Sequence, residues 1–395
     1  MILSAASAAL RAVAGLTAAG SAACILAGAL LAVSRRPRGR PLPAYPGVTC
    51  LKPVRGLDPE AELNFRAWLT QEYPGPVQFV FVLEAEDDPA WELLSRLCAA
   101  RPDLDAAVLL AGAAPAGSQK LHNLKVGEVH ARHDVLCVSD SDVRPRSGGI
   151  RALVEELHAT GAAAVCASVF HTGGRDLGAR AFQAFANSDP VGILAVQEAV
   201  GRCDTLIGGM HVLRREALRE VGGYAGLGPH ICDDGALGMR LARAGGRVLC
   251  SPEPAAMVLP SASLREFLAA GHRWTLMLRV CAPGRFLLAL PLQGPAWGWL
   301  WFAVELAAGR LEAGACLAGP GVALLHVATA AWVARRRGPE GIETGYAWLR
   351  PVVDLLGPVF WLGALLWPRI TWRGHRYVVD TKGLASRLPS RRGSP

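Results

Sequence analysis

Short apolar runs and segments of helical periodicity alternate from residue 44 to about residue 255. The runs GVTCLKPVRG, PVQFVFVLEAEDDP, DAAVLLAG and HDVLCVSD end in polar or proline-containing turns and predict β-strands. Between the second and third runs, AWELLSRLCAARP has the apolar spacing of an amphipathic helix. This alternation is typical of a mostly parallel sheet covered by helices, and such sheets bind ligands beyond the carboxyl ends of their strands. The pattern predicts an α/β fold with a site at that edge.

An uncharged apolar run at residues 12–33 precedes this region. It is long enough to cross a bilayer, which takes about 20 residues as a helix. A secretory signal peptide is the alternative, because the run is N-terminal and contains Ala-x-Ala pairs. We favour a membrane anchor, because the run exceeds a typical signal core and the basic cluster SRRPRGR follows it. That cluster predicts a cytoplasmic location for the next domain.

Three apolar segments follow the α/β region. Residues 286–304 and 313–334 are uncharged and of membrane-spanning length, and RRRGPE after the second predicts a helical hairpin with both ends in the cytoplasm. The last segment, 351–368, is shorter, contains an aspartate and has a break signal at Gly357-Pro358. If it crossed, the basic tail would lie outside. We therefore expect a re-entrant or interfacial hairpin, with the tail in the cytoplasm.

The composition supports a membrane protein, since 51% of the 395 residues are hydrophobic and only 19% are charged. The net charge of +8 comes from arginine clusters beside apolar segments or in the tail. A membrane protein with basic cytoplasmic ends explains this distribution better than a nucleic-acid-binding face does. The ten cysteines form no Cys-x-x-Cys pair, and we expect them to be reduced and buried. The predicted parts are an N-terminal transmembrane anchor (1–40), a cytoplasmic α/β domain (41–260), an amphipathic interfacial helix (261–282), a C-terminal membrane region (283–378) and a basic tail (379–395).

The candidate chemistry begins at Asp140-Ser141-Asp142, directly after a predicted strand. Two carboxylates at this spacing can approach one divalent cation, and such a cation can also hold a diphosphate. Alternatively, one carboxylate holds a sugar hydroxyl, or both are solvated turn acids. Further acidic residues favour a functional site over solvated turn acids, because Asp87 and Asp88 end another predicted strand.

A second acidic pair, Asp233 and Asp234, stands at the start of a predicted helix. Aspartate there can cap the helix by accepting from free backbone N–H groups, and this role is compatible with catalysis. Further on, LREFLAAGHRWTLMLRV carries Arg273 and Trp274 on an amphipathic stretch. Taken alone, that stretch would be an interfacial helix with an aromatic and arginine anchor.

The order of these motifs resembles the inverting GT-A-fold glycosyltransferases of the family 2 superfamily. The strongest resemblance is to ceramide glucosyltransferases and to bacterial hopanoid-associated relatives. It rests on EDDP, the D-x-D, the acidic pair and RW, and it is supported by LKPVRGLDP, QEYP, QKLHNL, GGMHVLRREAL and WPRITWRGHRY. The resemblance covers about residues 48–378 and implies a mixed, mostly parallel sheet with transmembrane helices at both ends.

The resemblance also implies roles for the first group of residues. Asp88 is expected near the uridine of the donor, and Lys120 is expected in the loop beside the nucleotide. Asp140 matches the second family aspartate, which binds substrate and metal, while Asp142 completes the D-x-D as a metal ligand. The implied cofactor is Mg2+ or Mn2+.

The second group carries the chemistry. Asp234 is the expected general base, and Asp233 is expected to bind substrate. Arg273 and Trp274 end a (Q/R)-x-x-R-W element and are expected at the substrate. This sequence departs from that element at Ala270, where the family has Gln or Arg. His272 is the residue we expect to supply the missing contact.

The resemblance implies transfer of a hexose from a UDP-sugar to a membrane-lipid hydroxyl with inversion, as in glycosphingolipid synthesis. A hopanoid or other lipid N-acetylglucosaminyl- or glycosyltransferase is the close alternative. A processive polysaccharide synthase is disfavoured, because one C-terminal hairpin leaves little for a polymer channel. A non-catalytic scaffold or transporter is disfavoured too, because no intramembrane charge series indicates a transport path. The expected location is a bacterial inner membrane, with no nucleic-acid partner.

Overall fold

The computed structural model describes residues 2–290 and 293–388. Its strands are β1 (Val48–Pro53), β2 (Val77–Leu83), β3 (Asp105–Leu110), β4 (Val135–Ser139), β5 (Val143–Pro145), β6 (Ala164–Thr172), β7 (Met210–Arg214), β8 (Val248–Val258), β9 (Arg369–Trp372), β10 (His375–Val379) and β11 (Ala385–Arg387). Its α-helices are α1 (Ile2–Ser34), α2 (Ala61–Leu69), α3 (Ala90–Ala99), α4 (Gln119–His130), α5 (Gly149–Thr160), α6 (Leu177–Ala186), α7 (Asp189–Ala199), α8 (Arg215–Glu220), α9 (Gly223–Gly226), α10 (Asp233–Arg243), α11 (Leu264–Cys281), α12 (Pro283–Ala289), α13 (Gly294–Ala307), α14 (Ala313–Cys316), α15 (Val322–Arg337) and α16 (Arg350–Leu366).

The predicted α/β architecture is confirmed by an eight-stranded sheet in the order β3-β2-β1-β4-β7-β6-β8-β5. Strands β3, β2, β1 and β4 are parallel neighbours. Strand β7 is antiparallel to both β4 and β6, so the sheet is mixed. Because β1 to β4 are parallel, their carboxyl ends meet at one edge, and the D-x-D follows β4 at that edge.

Both faces of this sheet are covered by helices, which explains why its strands are nearly continuous apolar runs. In β2, Phe79 and Phe81 face the layer that contains α2, α3 and α5. Val80 and Val82 face the opposite layer with α4 and α10. Successive side chains of a strand point to opposite faces, so an alternating pattern would have left one face polar.

Three stretches of the described residues are long and apolar enough to cross a membrane, namely Ala8–Ser34, Ala313–Arg337 and Gly345–Leu366. The first two agree with the predicted spans at 12–33 and 313–334. The predicted span at 286–304 is not one helix, because α12 ends at Ala289 and α13 begins at Gly294.

Proline explains where α13 begins, since Pro295 stands in its first turn, a position that tolerates a missing N–H. The 14 residues of α13 extend about 21 Å, less than the about 30 Å of a bilayer core. The helix nevertheless packs between α1 and the stretch Ala313–Arg337. Gly298 makes this possible, because a Cβ there would collide with the carbonyl oxygen of Ala318.

The expected break at Gly357-Pro358, and with it the expected hairpin, is wrong, since α16 continues through Pro358 as one helix. Packing on neighbouring helices compensates for the lost backbone hydrogen bond. The Phe360 ring of α16 lies against Gly271 of α11, and the Trp361 ring stacks on Phe286 of α12 with centroids 4.9 Å apart.

The start of α16 and the strands that follow it contact the α/β domain. At its start, Arg350 donates to the carbonyl of Ala184 and the hydroxyl of Ser188, each at 2.9 Å. After its end, β9, β10 and β11 form a small antiparallel sheet. The backbone N–H of Ile231 donates to the carbonyl of Gly383 at 2.9 Å and joins this sheet to the loop before α10. The predicted basic tail at 379–395 thus contributes β11, and its residues 389–395 lie outside the described part.

Candidate active site

Four predicted residues converge at the carboxyl edge of the sheet. Asp140 follows β4, Lys120 stands in the first turn of α4, and Asp233 begins α10. The Lys120 Nζ lies 2.8 Å from Asp140 Oδ1 and 3.1 Å from Asp233 Oδ2. Burial acts to lower the pKa of Lys120, but the carboxylates of Asp140, Asp233 and Asp234 raise it well above its ordinary value. Lys120 is therefore a permanent cation that joins the two acidic motifs.

Asp142 provides a test for a metal site. Its Oδ1 is buried and has no hydrogen-bond partner among the described residues. Burial, together with the negative charges of Asp140 and Asp58, raises the pKa of Asp142 to about 7. A buried carboxylate oxygen without a donor, beside two further carboxylates, fits a hard divalent cation. Asp140 and Asp142 are the residues of the D-x-D that would hold it.

Lys52 of β1 lies beneath the D-x-D and was not predicted as a site residue. Its Nζ donates to the carbonyl of Asp140 at 2.7 Å and to the hydroxyl of Ser139 at 3.2 Å, and it lies 4.3 Å from the centre of the Trp68 ring. Burial lowers the pKa of Lys52 to about 8, although Asp140 and Asp142 act against this. These contacts fix the backbone turn that aims the two carboxylates.

A residue of the β-hairpin formed by β9 and β10 reaches the same site. Arg373, between β9 and β10, has a left-handed backbone with φ of 48°. Its Nη1 lies 2.7 Å from Asp58 Oδ1, and the hydroxyl of Ser141 donates to the other oxygen of Asp58. Burial acts to lower the pKa of Arg373, but Asp58, Asp142 and Asp140 raise it. The β9–β10 hairpin thus adds a positive charge beside the D-x-D.

Arg273 is next to this charge. Burial and the like charge of Arg373 lower the pKa of Arg273 to about 10. Its guanidinium lies 5.9 Å from the centre of the Trp372 ring, but it makes no hydrogen bond or ion pair within the described residues. Two neighbouring guanidinium groups, of which only that of Arg373 is paired with a described carboxylate, favour a multiply charged anion, for which the fork of hydrogen-bond donors on arginine is well suited.

Asp234 is partly exposed, and within the described part of the chain only one of its two carboxylate oxygens accepts hydrogen bonds. The helix N-cap is Cys232, so Asp234 occupies the second helical position. Its Oδ1 accepts from the Gly235 N–H at 2.8 Å and from the Cys232 thiol at 3.2 Å. Its Oδ2 takes part in neither of these hydrogen bonds. This oxygen lies close to Gly208, because a Cβ added to Gly208 would be 2.5 Å from it. The predicted capping role is thus limited to one backbone donor.

Three predicted substrate residues lie in other surroundings. Asp88 accepts from the N–H groups of Gly56 and Ala90, so it organises the loop after β2. His272 Nε2 lies 3.2 Å from the carbonyl oxygen of Arg369, between α11 and the β-hairpin formed by β9 and β10. The substrate-binding roles of Asp88 and His272 stay predictions.

The third is Trp274, whose ring is part of an aromatic cluster. It stacks on Phe185 with centroids 5.4 Å apart and meets Phe182 and His171 edge to face. These contacts hold α11 against α6. The neighbouring residue Arg273 therefore points to the charged groups while Trp274 anchors the helix, and a substrate contact of the ring stays a prediction.

A second cluster of metal-type side chains contains Asp189, His326 and Asp354. The two ring nitrogens of His326 lie 2.8 Å from Asp189 Oδ1 and 3.0 Å from Asp354 Oδ2. Arg350 Nη2 lies 2.6 Å from both carboxylates. Because an arginine already supplies the positive charge and the histidine is engaged on both sides, this cluster joins α7, α15 and α16 and does not suit a cation.

Comparisons with known proteins indicate the family of this chain. Ceramide glucosyltransferase 3 of Caenorhabditis elegans is 26% identical over 253 residues, which are 63% of this chain and 54% of that protein. The ceramide glucosyltransferase of Candida albicans is 30% identical over 125 residues, 29% of this chain and 23% of that protein. The chain thus spans about half the length of the first of these relatives.

A solved mannosyltransferase from Pyrobaculum calidifontis, in complex with GDP-Man and Mn2+, shares the fold with a TM-score of 0.55. It is 22% identical, and the match covers 88% of this chain and 99% of that one. The predicted GT-A fold is thereby confirmed. The profile of glycosyl transferase family 21 matches residues 15–385. With nearly the whole chain matched, from the first apolar helix to the last strand, this protein belongs to glycosyl transferase family 21.

Proposed function

We propose that this enzyme transfers a hexose from a UDP-sugar to the hydroxyl of a ceramide-like membrane lipid, with inversion at the anomeric carbon. The observation that carries the proposal is the convergence of Asp234 with the Lys120-linked carboxylates Asp140 and Asp233 at one edge of the sheet. The similarity to ceramide glucosyltransferases supports the choice of donor and acceptor.

The donor diphosphate is assigned to the D-x-D and to the two arginines. Asp140 and Asp142 would hold Mg2+ or Mn2+, which supplies positive charge to the diphosphate when bound. Arg273 and Arg373 offer guanidinium donors beside these carboxylates. As the bond between the sugar and the diphosphate breaks, the electron pair leaves with the diphosphate, and the two arginines stabilise the charge that develops there.

The acceptor step is assigned to Asp234. A lipid hydroxyl is a weak nucleophile unless a base removes its proton as the new bond to the anomeric carbon forms. Asp234 Oδ2, which accepts neither of the hydrogen bonds made to Oδ1, is available to take that proton. One base without a covalent intermediate gives a single displacement, and a single displacement inverts the anomeric configuration.

A lipid acceptor is supported by the apolar rim of the site. Leu366 and Trp367 are 73% and 57% exposed, and they directly precede the hairpin that carries Arg373. On α11, Leu264 and Leu268 are also exposed. Exposed apolar side chains on adjoining helices are typical of a membrane-facing surface. The headgroup can then reach Asp234 while the acyl chains stay in the bilayer.

A cytoplasmic catalytic domain is supported by where the basic helix ends lie. Arg337, in the last turn of α15, donates to the carbonyls of Val33 and Arg35 at the end of α1. Both basic clusters therefore sit at the same end of the membrane helices, which the positive-inside rule assigns to the cytoplasm. The contacts of Arg350 at the start of α16, and of Gly383 in the strands after it, with the α/β domain support an interfacial α16 with the tail on that side.

The test is product analysis with purified full-length protein, UDP-glucose, UDP-galactose and UDP-N-acetylglucosamine, each with ceramide, a hopanoid or diacylglycerol. We expect mass spectrometry to find one hexose on ceramide, and NMR to find the β-anomer from the α-linked donor. Product on the hopanoid alone would replace ceramide as the acceptor. A polymer would instead favour a polysaccharide synthase, and no product with any pair would contradict the proposal.

A further inference from the structure

A second, basic cavity lies apart from the carboxylate site and has a volume of about 580 Å³. It is bounded by the residues after α1, the end of α10, the start of β8 and helix α12. Arg243 stands in its wall, in the last turn of α10. Asp233 begins the same helix ten residues earlier, so the cavity and the carboxylate site are about 15 Å apart along α10.

Positive charge dominates this cavity. Five arginines and two carboxylates line it, the carboxylates being Glu198 and Asp204, and the arginines being Arg38, Arg202, Arg243, Arg247 and Arg285. The difference, five minus two, is three positive charges. Asp204 is paired with Arg285 at 2.5 Å, and Glu198 is shared between Arg38 and Arg35. The side chains of Arg202 and Arg243 make no ion pair or hydrogen bond with any described residue. The wall therefore has two guanidinium groups available for an anion.

The cavity adjoins the membrane-facing part of the protein. Arg38 comes four residues after the span Ala8–Ser34. Arg285 belongs to α12, whose Leu287 and Leu288 are each 63% exposed. An anion in this cavity would thus lie beside apolar side chains suited to acyl chains. Basic cavities at the cytoplasmic boundary of membrane helices are suited to lipid phosphates.

We propose that this cavity binds the phosphate of an anionic phospholipid and fixes the catalytic domain against the membrane surface. The shared chemistry is a phosphate anion held by arginine, so inorganic phosphate is the other source. The exposed leucines of α12 favour the lipid, because free phosphate gains nothing from an apolar neighbour.

The test is native mass spectrometry of the full-length protein in detergent, titrated with phosphatidylglycerol or phosphatidylcholine. Each arginine near a lipid phosphate contributes a factor of about five in affinity. We expect phosphatidylglycerol to bind more tightly than phosphatidylcholine, and Arg202→Gln with Arg243→Gln to weaken it about 25-fold. Arg219→Gln is the matched control, since Arg219, like Arg243, stands in the last turn of a helix, is exposed and has no ion pair with a described residue.

Each outcome decides the proposal. Equal binding of the two lipids, or unchanged phosphatidylglycerol affinity in the double variant, would overturn it. Inorganic phosphate that displaces phosphatidylglycerol at equal concentration would also overturn the lipid assignment. If the double variant does not fold, as its melting temperature reports, the single variants Arg202→Gln and Arg243→Gln are expected to lose about fivefold each. The readout is lipid binding, so it is independent of sugar transfer.

Discussion

Replacing Asp234 by Asn separates catalysis from helix stability. Asn keeps an oxygen that can accept from the Gly235 N–H, so the 2.8 Å hydrogen bond is retained. The variant loses only the charge in the first turn of α10, where a carboxylate contributes about 0.3–1 kcal/mol through the helix dipole. A stability change of that size leaves almost all molecules folded.

The expected kinetic effect is much larger. An amide cannot accept the proton of the acceptor hydroxyl, and general-base catalysis contributes about 10²–10⁴-fold. This corresponds to about 2.7–5.5 kcal/mol of activation free energy. We therefore expect Asp234→Asn to lower kcat at least about 100-fold, with the KM for UDP-sugar and the melting temperature nearly unchanged.

The assay measures kcat and donor KM with purified full-length protein, together with the melting temperature. Asp233→Asn is the comparison, because Asp233 contacts Lys120 at 3.1 Å and is expected to change donor KM more than kcat. Near-normal turnover in Asp234→Asn would refute the assignment of the base. So would a larger loss of kcat in Asp233→Asn with an unchanged donor KM.

Three further changes test the donor site and the position of the base. Arg373→Gln is expected to weaken UDP-sugar binding about tenfold, because it removes a guanidinium beside the D-x-D. The control is Arg376→Gln on β10. Equal affinities of Arg373→Gln and the unaltered protein for UDP-sugar, measured by calorimetry, would contradict this. Asp142→Asn is expected to raise the metal concentration for half-maximal donor binding at least about tenfold, and full activity of the unaltered enzyme in excess chelator would reject the metal site. Gly208→Ala is expected to lower kcat about 100-fold, because its Cβ would lie 2.5 Å from Asp234 Oδ2 and displace it; unchanged kcat would mean that the carboxylate can move without loss.

The strands that the sequence predicted are those with uninterrupted apolar runs, such as β2. Strand β8 is harder to recognise, because VLCSPEPAAMV contains two prolines, which normally disfavour a strand interior. The structure accommodates them where the pairing of β6 and β8 shifts register between Cys166 and Ser168. Such a shift depends on the neighbouring strand and leaves no local sequence pattern.

The site was predicted where its motifs are local. Asp140 and Asp142 stand together after a strand, and their position follows from the strand alone. Arg373 belongs to the motif WPRITWRGHRY, but its role does not follow from the sequence, because its contact with Asp58 spans 315 residues and depends on the complete fold. Lys52 was missed for a related reason: it lies in an apolar strand, and only the parallel pairing of β1 with β4 brings it beneath the D-x-D.

The distribution of site residues links the membrane region to the chemistry. Asp140 and Asp234 belong to the α/β domain, but Arg273 is on α11 and Arg373 follows α16. Helix α16 packs on α11 through Phe360 at Gly271, so a displacement of α16 changes the spacing of the two arginines. The same displacement moves Leu366 and Trp367, which form the apolar rim at the lipid surface. Placement of the protein on its membrane and assembly of its anion site therefore depend on the same helix pair.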